Sequence, residues 1–298
     1  MNGRQGRKLE SNYKIRRTQL FGPWGVGAIM PCPNDESLMI AGLDALPSDS
    51  VEKLEPIHDD RLARLIGVKN LLMPPDPDAG VVLPAVRFPR WLYCPFCHQM
   101  EMVSEFTSGT RTCTSEKCRG KRRRLIPERF IVICPEGHID DFPVMEWVHH
   151  GDPGPGEHVI SRVTQGGSAS LGDIVYKCSC GARRSLNGAT RPGALAEIGY
   201  SCKGSKPWLG IQSSECHCSP DSLRVVQRGG NNVWYPDVAS SIFIPDGMSE
   251  QVQRCLEANY ANIAEAEAAG QKAFDLVVRT AAKAGGVDAA SLASAYRM

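Results

Sequence analysis

Four cysteines near the middle of the chain constrain its fold more than any other feature. Two residues separate Cys94 from Cys97, and after fifteen further residues four residues separate Cys113 from Cys118. Two thiolate pairs at this distance can meet at one tetrahedral Zn²⁺, with a hairpin between the two metal-binding loops. Because four thiolates leave no open coordination position, the spacing predicts a structural zinc ribbon. The alternative is four thiols that are buried by packing alone.

Five further cysteines form a looser group later in the chain. We predict that four of them make a second zinc shell: Cys178, Cys180, Cys202 and Cys218. Cys216 is the alternative to Cys218. Only one residue separates Cys178 from Cys180, which is cramped for two ligands on one metal. The expected cofactor is Zn²⁺, with one ion at the ribbon and a second if this group also binds.

The number of cysteines also bears on the cellular compartment. Twelve cysteines indicate disulfides in a secreted chain, but metal ligation or free thiols in the reducing cytosol. No apolar stretch with a cleavage site follows the basic N-terminus, and no window approaches the ~18 apolar residues of a membrane helix. We therefore expect a cytoplasmic protein that does not span a membrane. Cys32 and Cys255 have no partner at ligand spacing and are predicted to pack as small apolar residues.

One short segment carries the residue types of a hydrolytic metal centre. It begins at Cys134 and continues with His138, Asp140, Asp141, Glu146, His149 and His150. A metal-dependent nuclease that uses His138, Asp140 and Asp141 is one alternative function. No distant residue is identifiable as its base or nucleophile, so we favour a His–Asp hydrogen bond that braces a turn. A contribution of Cys134 and His138 to a metal site is a further alternative.

The net charge rules out attraction of the whole molecule to a polyanion, because the chain has 34 basic and 33 acidic side chains. Any contact with nucleic acid must come from local patches. A dense basic run follows the ribbon: Arg119, Lys121, Arg122, Arg123 and Arg124. Four later arginines add to it: Arg183, Arg184, Arg224 and Arg228. Arginine offers phosphate a bidentate fork, so these residues are candidates for DNA binding. A solvated basic turn, or a site for an acidic protein, is the alternative.

The distribution of apolar, glycine and proline residues predicts five segments. They are a basic flexible arm over 1–17, an α+β lead-in over 18–80, a zinc-ribbon region over 81–130, a β-rich region with the second cysteine cluster over 131–245, and a helical extension over 246–298. In the last segment we predict a helix from Ser249 to about Ala284 that is interrupted near Gly270. The segments together indicate the α+β class.

Seven motifs between about Arg16 and Pro245, taken in order, resemble a known family. They are RRTQLFGPWGVGAI, AVRFPRWLYCPFC, CPEGHIDDFPVMEWVH, KCSCGARRSL, CKGSKPWLG, VQRGGNNVWYP and SSIFIP. The series resembles the N-terminal half of the DrmB family of DISARM anti-phage defence systems. This resemblance implies a non-catalytic, zinc-binding accessory protein that recognises foreign DNA together with a DrmA helicase. It also implies the ribbon ligands and second-site ligands named above.

Two features depart from the family pattern. The pair Cys178 and Cys180 is usually separated by two residues in the family, and here by one. The family also continues into a C-terminal cysteine-rich domain, whereas the residues after Pro245 form an Ala-rich helical pattern up to Met298. We therefore expect a truncated or split gene product, or a shortened relative.

These observations combine into one expectation. We expect an α+β protein with short antiparallel strands around a zinc ribbon and a second cysteine cluster, followed by a helical C-terminal extension. Its expected function is that of a defence-complex subunit that binds DNA and a DrmA-like helicase, with no membrane and no small-molecule substrate. Because the sequence has no Walker motif, ATP turnover would belong to the partner. The alternatives are the nuclease and a protein-interaction module without affinity for nucleic acid.

Overall fold

The computed structural model describes residues 13–76, 78, 80–107, 109–119, 121–167, 170–241 and 249–297. They fall into two compact units: the described residues within 1–58 and 67–239 form the first, and those within 59–66 and 240–298 form the second. Most of the predicted basic arm lies outside the described residues. At its end, the hydroxyl of Tyr13 donates a hydrogen bond to the carbonyl oxygen of Pro33 at 3.0 Å.

Among the described residues, the first unit contains short strands and three short α-helices. The strands are β1 (Ile29–Cys32), β2 (Glu36–Ile40), β3 (Pro56–Ile57), β4 (Leu71–Leu72), β5 (Ala85–Arg87), β6 (Trp91–Tyr93), β7 (Met100–Met102), β8 (Ile126–Pro127), β9 (Phe130–Ile133), β10 (Ile139–Asp141), β11 (Ile160–Thr164), β12 (Ile174–Cys178), β13 (Arg183–Ser185) and β14 (Arg224–Gln227). The helices are α1 (Arg17–Phe21), α2 (Ser48–Val51) and α4 (Val144–His149), while α3 (Asp60–Ile66) belongs to the second unit.

Within the part of the chain that the structure describes, the strands pair in five small sheets, and every pairing between them is antiparallel. The orders are β1–β2–β5, β10–β9–β14, β11–β12–β13, β3–β4 and β7–β6–β8. Glycine- and proline-rich turns keep the strands short. Together with the helices of the second unit, these sheets confirm the predicted α+β class.

Strand β9 separates two hydrophobic cores. Because successive side chains point to opposite faces of a strand, Phe130 and Val132 enter one core while Ile131 enters the other. The larger core surrounds the ring of Trp147, which is 1% exposed and donates a hydrogen bond from Nε1 to the carbonyl oxygen of Ser185 at 3.0 Å. This packing fixes the ends of β9, β10 and β12 and the end of α4, where the candidate ligands lie.

The second unit is mainly helical. It contains α3, α5 (Glu250–Ala268), α6 (Gln271–Gly285) and α7 (Ala289–Arg297). The hydroxyl of Ser249 accepts a hydrogen bond from the N–H of Val252 at 3.2 Å and so caps α5. Gly270, at φ 112°, separates α5 from α6, as the sequence predicts. Ile263 and Leu292 are completely buried in its core. No helix of the described residues is long and apolar enough to cross a membrane.

Candidate metal centres

The four ribbon cysteines converge at one point, which we call the ribbon cluster: Cys94, Cys97, Cys113 and Cys118. The first pair lies in the turn between β6 and β7, where the N–H of His98 donates to the carbonyl oxygen of Cys94 at 2.9 Å. The sulfurs of Cys94 and Cys118 lie 3.7 Å apart, and those of Cys97 and Cys113 lie 3.6 Å apart. Sulfurs at ~2.3 Å from a tetrahedral Zn²⁺ are separated by ~3.8 Å, so the cluster fits this ion.

The protonation of these thiols depends on their surroundings. Burial raises the pKa of Cys113 to about 12. Burial also acts on Cys97, but a backbone hydrogen bond from Gln99 and the neighbouring thiols outweigh it and lower the pKa to about 7. The side chains of Cys94 and Cys118 are almost completely buried in a small core with Leu92. A cation would favour the thiolate form of all four, because it stabilises the negative charge.

A second group of four ligands forms around the β9–β10 hairpin, and we call it the hairpin cluster: Cys134, His138, Cys202 and Cys216. The hairpin closes because the N–H of Gly137, at φ 79°, donates to the carbonyl oxygen of Cys134 at 3.1 Å. Nδ1 of His138 lies 3.4 Å from the sulfur of Cys134 and 3.7 Å from that of Cys202. A nitrogen and a sulfur bound to one tetrahedral Zn²⁺ lie ~3.5 Å apart, so this donor set also fits the ion.

A third group lies where α4 ends beside the end of β12, and we call it the helix cluster: His149, His158, Cys178 and Cys180. Nδ1 of His158 is 3.2 Å from the sulfur of Cys178, and Nε2 of His149 is 3.4 Å from the sulfur of Cys180. Nδ1 of His149 lies 2.7 Å from the carbonyl oxygen of Met145. A hydrogen bond donated there leaves the Nε2 lone pair free toward the cluster, the usual arrangement of a metal-binding histidine.

The exposure of the helix cluster is uneven. Cys178 is buried, both histidines are half-buried and Cys180 is exposed. A backbone hydrogen bond from Ala182 is the largest of the contacts that lower the pKa of Cys180 to about 6. A thiolate at neutral pH is the form that binds a metal. The helix cluster thus presents two imidazole nitrogens and two sulfurs, with one sulfur at the surface.

The predicted second zinc shell differs from what the structure brings together. Cys178 and Cys180 belong to the helix cluster, and Cys202 belongs to the hairpin cluster with Cys216. Cys218 lies in neither of these groups among the described residues. The physical reason is sheet topology: β12 carries the first pair to the end of α4, while β9 and β10 carry Cys134 to the loops that hold the later cysteines.

The carboxylates of the nuclease alternative are engaged by other side chains. Asp141 accepts hydrogen bonds from the backbone N–H of Arg90 at 2.6 Å and from its Nε at 2.7 Å. Asp140 accepts from the hydroxyl of Tyr200 at 3.0 Å. Burial raises the pKa of Asp141, and the Arg90 guanidinium opposes this rise only in part. His138 contacts the sulfurs of the hairpin cluster, so the expected His–Asp brace is replaced by an Arg–Asp brace.

The basic run after the ribbon is mostly at the surface. Its exposed members are Arg119, Lys121, Arg122 and Arg124. Arg123 is half-buried, with its guanidinium 3.7 Å from the centroid of the Phe96 ring. Arg119 forms an exposed ion pair with Glu116 at 3.0 Å. The run therefore offers several charges to an external anion, while Arg123 is held against the ribbon.

The later arginines differ in environment. Arg183 and Arg224 are exposed, whereas Arg184 and Arg228 are half-buried. The guanidinium of Arg184 lies 3.6 Å from the ring centroid of Trp147 and donates to the carbonyl oxygen of that residue at 3.3 Å. Arg184 therefore packs against the larger core. Arg228 follows β14 directly and lines a cleft between three of the sheets.

Comparison with known proteins places the chain in a family. The family model described as a domain of unknown function, DUF8724, matches residues 16–235. The chain belongs to this family. The matched part of the DUF8724 chain contains all three clusters, so they are features of the family domain as it occurs here.

The chain is also similar to a named protein. The DISARM protein DrmB of Bacillus paralicheniformis is 30% identical to the DUF8724 chain over 171 residues. The alignment covers 56% of this chain but only 30% of the relative. The DrmB resemblance that the sequence motifs predict is thus confirmed, and the chain spans about a third of that protein.

The two histidines of the helix cluster are candidate ligands that the sequence analysis does not include in its second zinc shell. His149 lies only eleven residues after His138 and invites assignment to the same local site. His158 stands alone in a stretch rich in glycine and proline. One signal for them is present in the sequence. Cys178 and Cys180 supply at most two of the four ligands of a tetrahedral shell, so two more must come from elsewhere in the chain.

Proposed function

We propose that this DUF8724 chain acts as a non-catalytic, zinc-binding component of a DISARM-like anti-phage defence system. In this proposal it binds DNA together with a DrmA-like helicase in the cytoplasm. The similarity to a protein named as the DISARM protein DrmB supports the setting. Since the chain spans about a third of that relative, the proposal concerns the part of the activity that this domain carries.

The observation that carries the proposal is the presence of three groups of four Cys or His ligands in one domain. Groups of four cysteine or histidine ligands suit zinc better than other metals. A shell of four protein ligands leaves no position for a water or substrate, which favours structural over catalytic metal. The involvement of Asp140 and Asp141 in contacts with Arg90 and Tyr200 also favours a role without hydrolysis.

The metals would supply stability that the small cores lack. The ribbon cluster has few buried neighbours of its own: Leu92, Val103 and Leu125. Short strands with so little apolar contact do not fold independently, so metal binding contributes directly to the folding free energy of this region.

The DNA-binding part of the proposal rests on the exposed basic run that follows Cys118. The run is next to a region that metal ligation would make rigid, so its charges would be presented in a fixed arrangement. Each phosphate that a basic side chain neutralises adds about −0.9 to the slope of log affinity against log salt concentration. The proposal therefore predicts a measurable salt dependence.

Metal content is the first test. Elemental analysis and native mass spectrometry of reduced protein, purified without chelator, should give three Zn²⁺ per chain. If only two ions are bound, one of the three clusters is not a zinc site, and the absence of zinc would overturn the proposal.

DNA binding is the second test, by fluorescence anisotropy with labelled DNA at several salt concentrations.

A charge-removal variant isolates the basic run. Replacing Lys121, Arg122 and Arg124 together by Gln should weaken DNA binding and reduce the salt slope by up to about 2.7. Arg191→Gln is a suitable control, since it removes a charge that is exposed but paired with Glu197. If the unaltered protein does not bind DNA, the nucleic-acid part of the proposal is wrong. Co-purification with a DrmA-like helicase tests the partnership.

A further inference from the structure

A cleft of about 350 Å³ opens between three sheets of the first unit. Its walls come from β1–β2–β5, from β7–β6–β8 and from the end of β14, and they include Pro31, Ser37, Tyr93, Pro127, Arg129 and Arg228. We call it the Arg228 cleft. Its volume lies within the ~300–1,000 Å³ that is typical of small-ligand sites.

Two polar side chains of the Arg228 cleft have no hydrogen-bond partner among the residues that the structure describes. The guanidinium of Arg228 forms no hydrogen bond or ion pair with any described residue, and its Nη1 is buried. The hydroxyl of Ser37, a completely buried residue, also lacks a hydrogen-bond partner. Buried donors are almost always satisfied, because an unsatisfied one costs free energy. Two of them in one cleft point to a ligand that accepts hydrogen bonds.

The charges around the cleft indicate that this ligand is an anion. Both charged residues that line it are arginines, Arg129 and Arg228. Glu128 and Asp35 act on Arg228 electrostatically, but Glu128 is already paired with Nε of Arg162 at 3.1 Å. The Arg129 side chain donates to the amide oxygen of Gln227 at 3.1 Å and is otherwise exposed. The charged groups that line the cleft are therefore positive, and both can bind an anion.

The remaining walls are apolar, with isoleucine and proline side chains contributed by β1 and β8. An anion that also carries an apolar, planar body satisfies both parts of the cleft. Phosphate offers more acceptor oxygens than a carboxylate and can bind an arginine fork and a hydroxyl at the same time. A nucleotide joins such a phosphate to a base that stacks or packs against apolar walls.

We propose that the Arg228 cleft binds one unpaired nucleotide of a single-stranded nucleic acid, with its phosphate held by Arg228 and Ser37. The base and sugar lie against the apolar walls. A base in a duplex is not free to enter a concave site, so the strand must be single at this point. This inference rests on the proposed DNA-binding function and names where and in what form the strand is held.

The test uses the zinc-loaded chain and isothermal titration calorimetry with thymidine 5′-monophosphate, thymidine and inorganic phosphate. The nucleotide should bind more tightly than either part alone. Arg228→Gln should weaken nucleotide binding about tenfold to 100-fold, the usual loss for a charged hydrogen bond. The matched control Arg191→Gln removes an equal charge elsewhere and should leave it unchanged. Ser37→Ala should weaken binding several-fold without lowering the melting temperature.

A second measurement separates this inference from the proposed function. Anisotropy with a labelled oligothymidine strand should show weaker binding by Arg228→Gln and unchanged binding by Arg191→Gln. If the strand binds both variants and the unaltered protein equally, the cleft inference is wrong while DNA binding stands. If no DNA binds at all, the proposed function fails. An acidic peptide that competes fully with the nucleotide would make the cleft a peptide site and overturn the inference.

Discussion

The Asp141→Ala substitution tests whether the acidic segment is structural or catalytic. Asp141 is 4% exposed and accepts two hydrogen bonds of 2.6 and 2.7 Å from Arg90. Removing one partner of a buried ion pair costs about 3–5 kcal/mol, because the other charge is left without compensation. Arg90 keeps weaker contacts with Asp140 at 3.7 Å and Glu105 at 3.6 Å. We therefore expect the lower end of the range, about 3 kcal/mol.

The control is Glu197→Ala, which breaks another arginine–carboxylate pair at a distance of 2.7 Å. The side chains of Arg191 and Glu197 are both at least half exposed, so solvent screens their attraction and the expected cost is much smaller than that of Asp141→Ala. Geometry is similar in the two pairs, and burial is the main difference.

Tryptophan fluorescence during urea unfolding is the appropriate assay. All five tryptophans lie in the first unit, so the signal reports on the part of the chain that contains Asp141. Zinc should be present throughout, because metal loss would add a second process. The reasoning is refuted if Asp141→Ala and Glu197→Ala have equal effects. A folded Asp141→Ala protein that had lost a phosphodiesterase activity would instead support a nuclease.

Three further predictions follow from separate parts of the structure. Cys178→Ser should lower the zinc content by one ion per chain in elemental analysis, and an unchanged content would exclude the helix cluster as a site. The Arg191 hydrogen bond lowers the pKa of Glu197 from 4.5, so the pair should stabilise the fold above that pH and lose its effect as pH falls through the lowered value. Carboxyl NMR should show the Glu197 pKa returning toward 4.5 in Arg191→Gln, and a constant value would contradict this pairing. Ile263→Ala should destabilise the helical unit by about 2–5 kcal/mol in circular dichroism, whereas the exposed Leu276→Ala should change stability by less than about 0.5 kcal/mol.

Local spacing explains which parts of the site can be predicted from sequence. The ribbon cysteines lie within 25 residues, so their convergence depends on one hairpin and follows from spacing. The hairpin cluster instead joins Cys134 to Cys216, which are 82 positions apart. Their proximity depends on the pairing of β9 with β14, and no local pattern encodes that pairing.

The fold class was easier to predict than the strand partners. Short runs such as those of β9 and β12 carry β-branched and aromatic residues between turn signals, which is enough to assign strands and the α+β class. The same pattern does not specify that alternate residues of β9 serve two cores. The sequence analysis groups Cys178 and Cys180 with later cysteines instead of with the two histidines. A lone histidine such as His158 carries no signal in the sequence, because only the pairing of β11 with β12 brings it beside Cys178.

The order of the ligands along the chain gives the two later clusters a nested topology. Both pairs of the helix cluster, from His149 to Cys180, fall between Cys134 and Cys216. With zinc bound as proposed, each cluster acts as a cross-link that closes a loop of chain. Closing the inner loop first shortens the effective length of the outer one, a saving of under about 0.6 kcal/mol in closure entropy. The total entropic cost does not depend on the order, but the largest single closure step is smaller when the inner cross-link forms before the outer one.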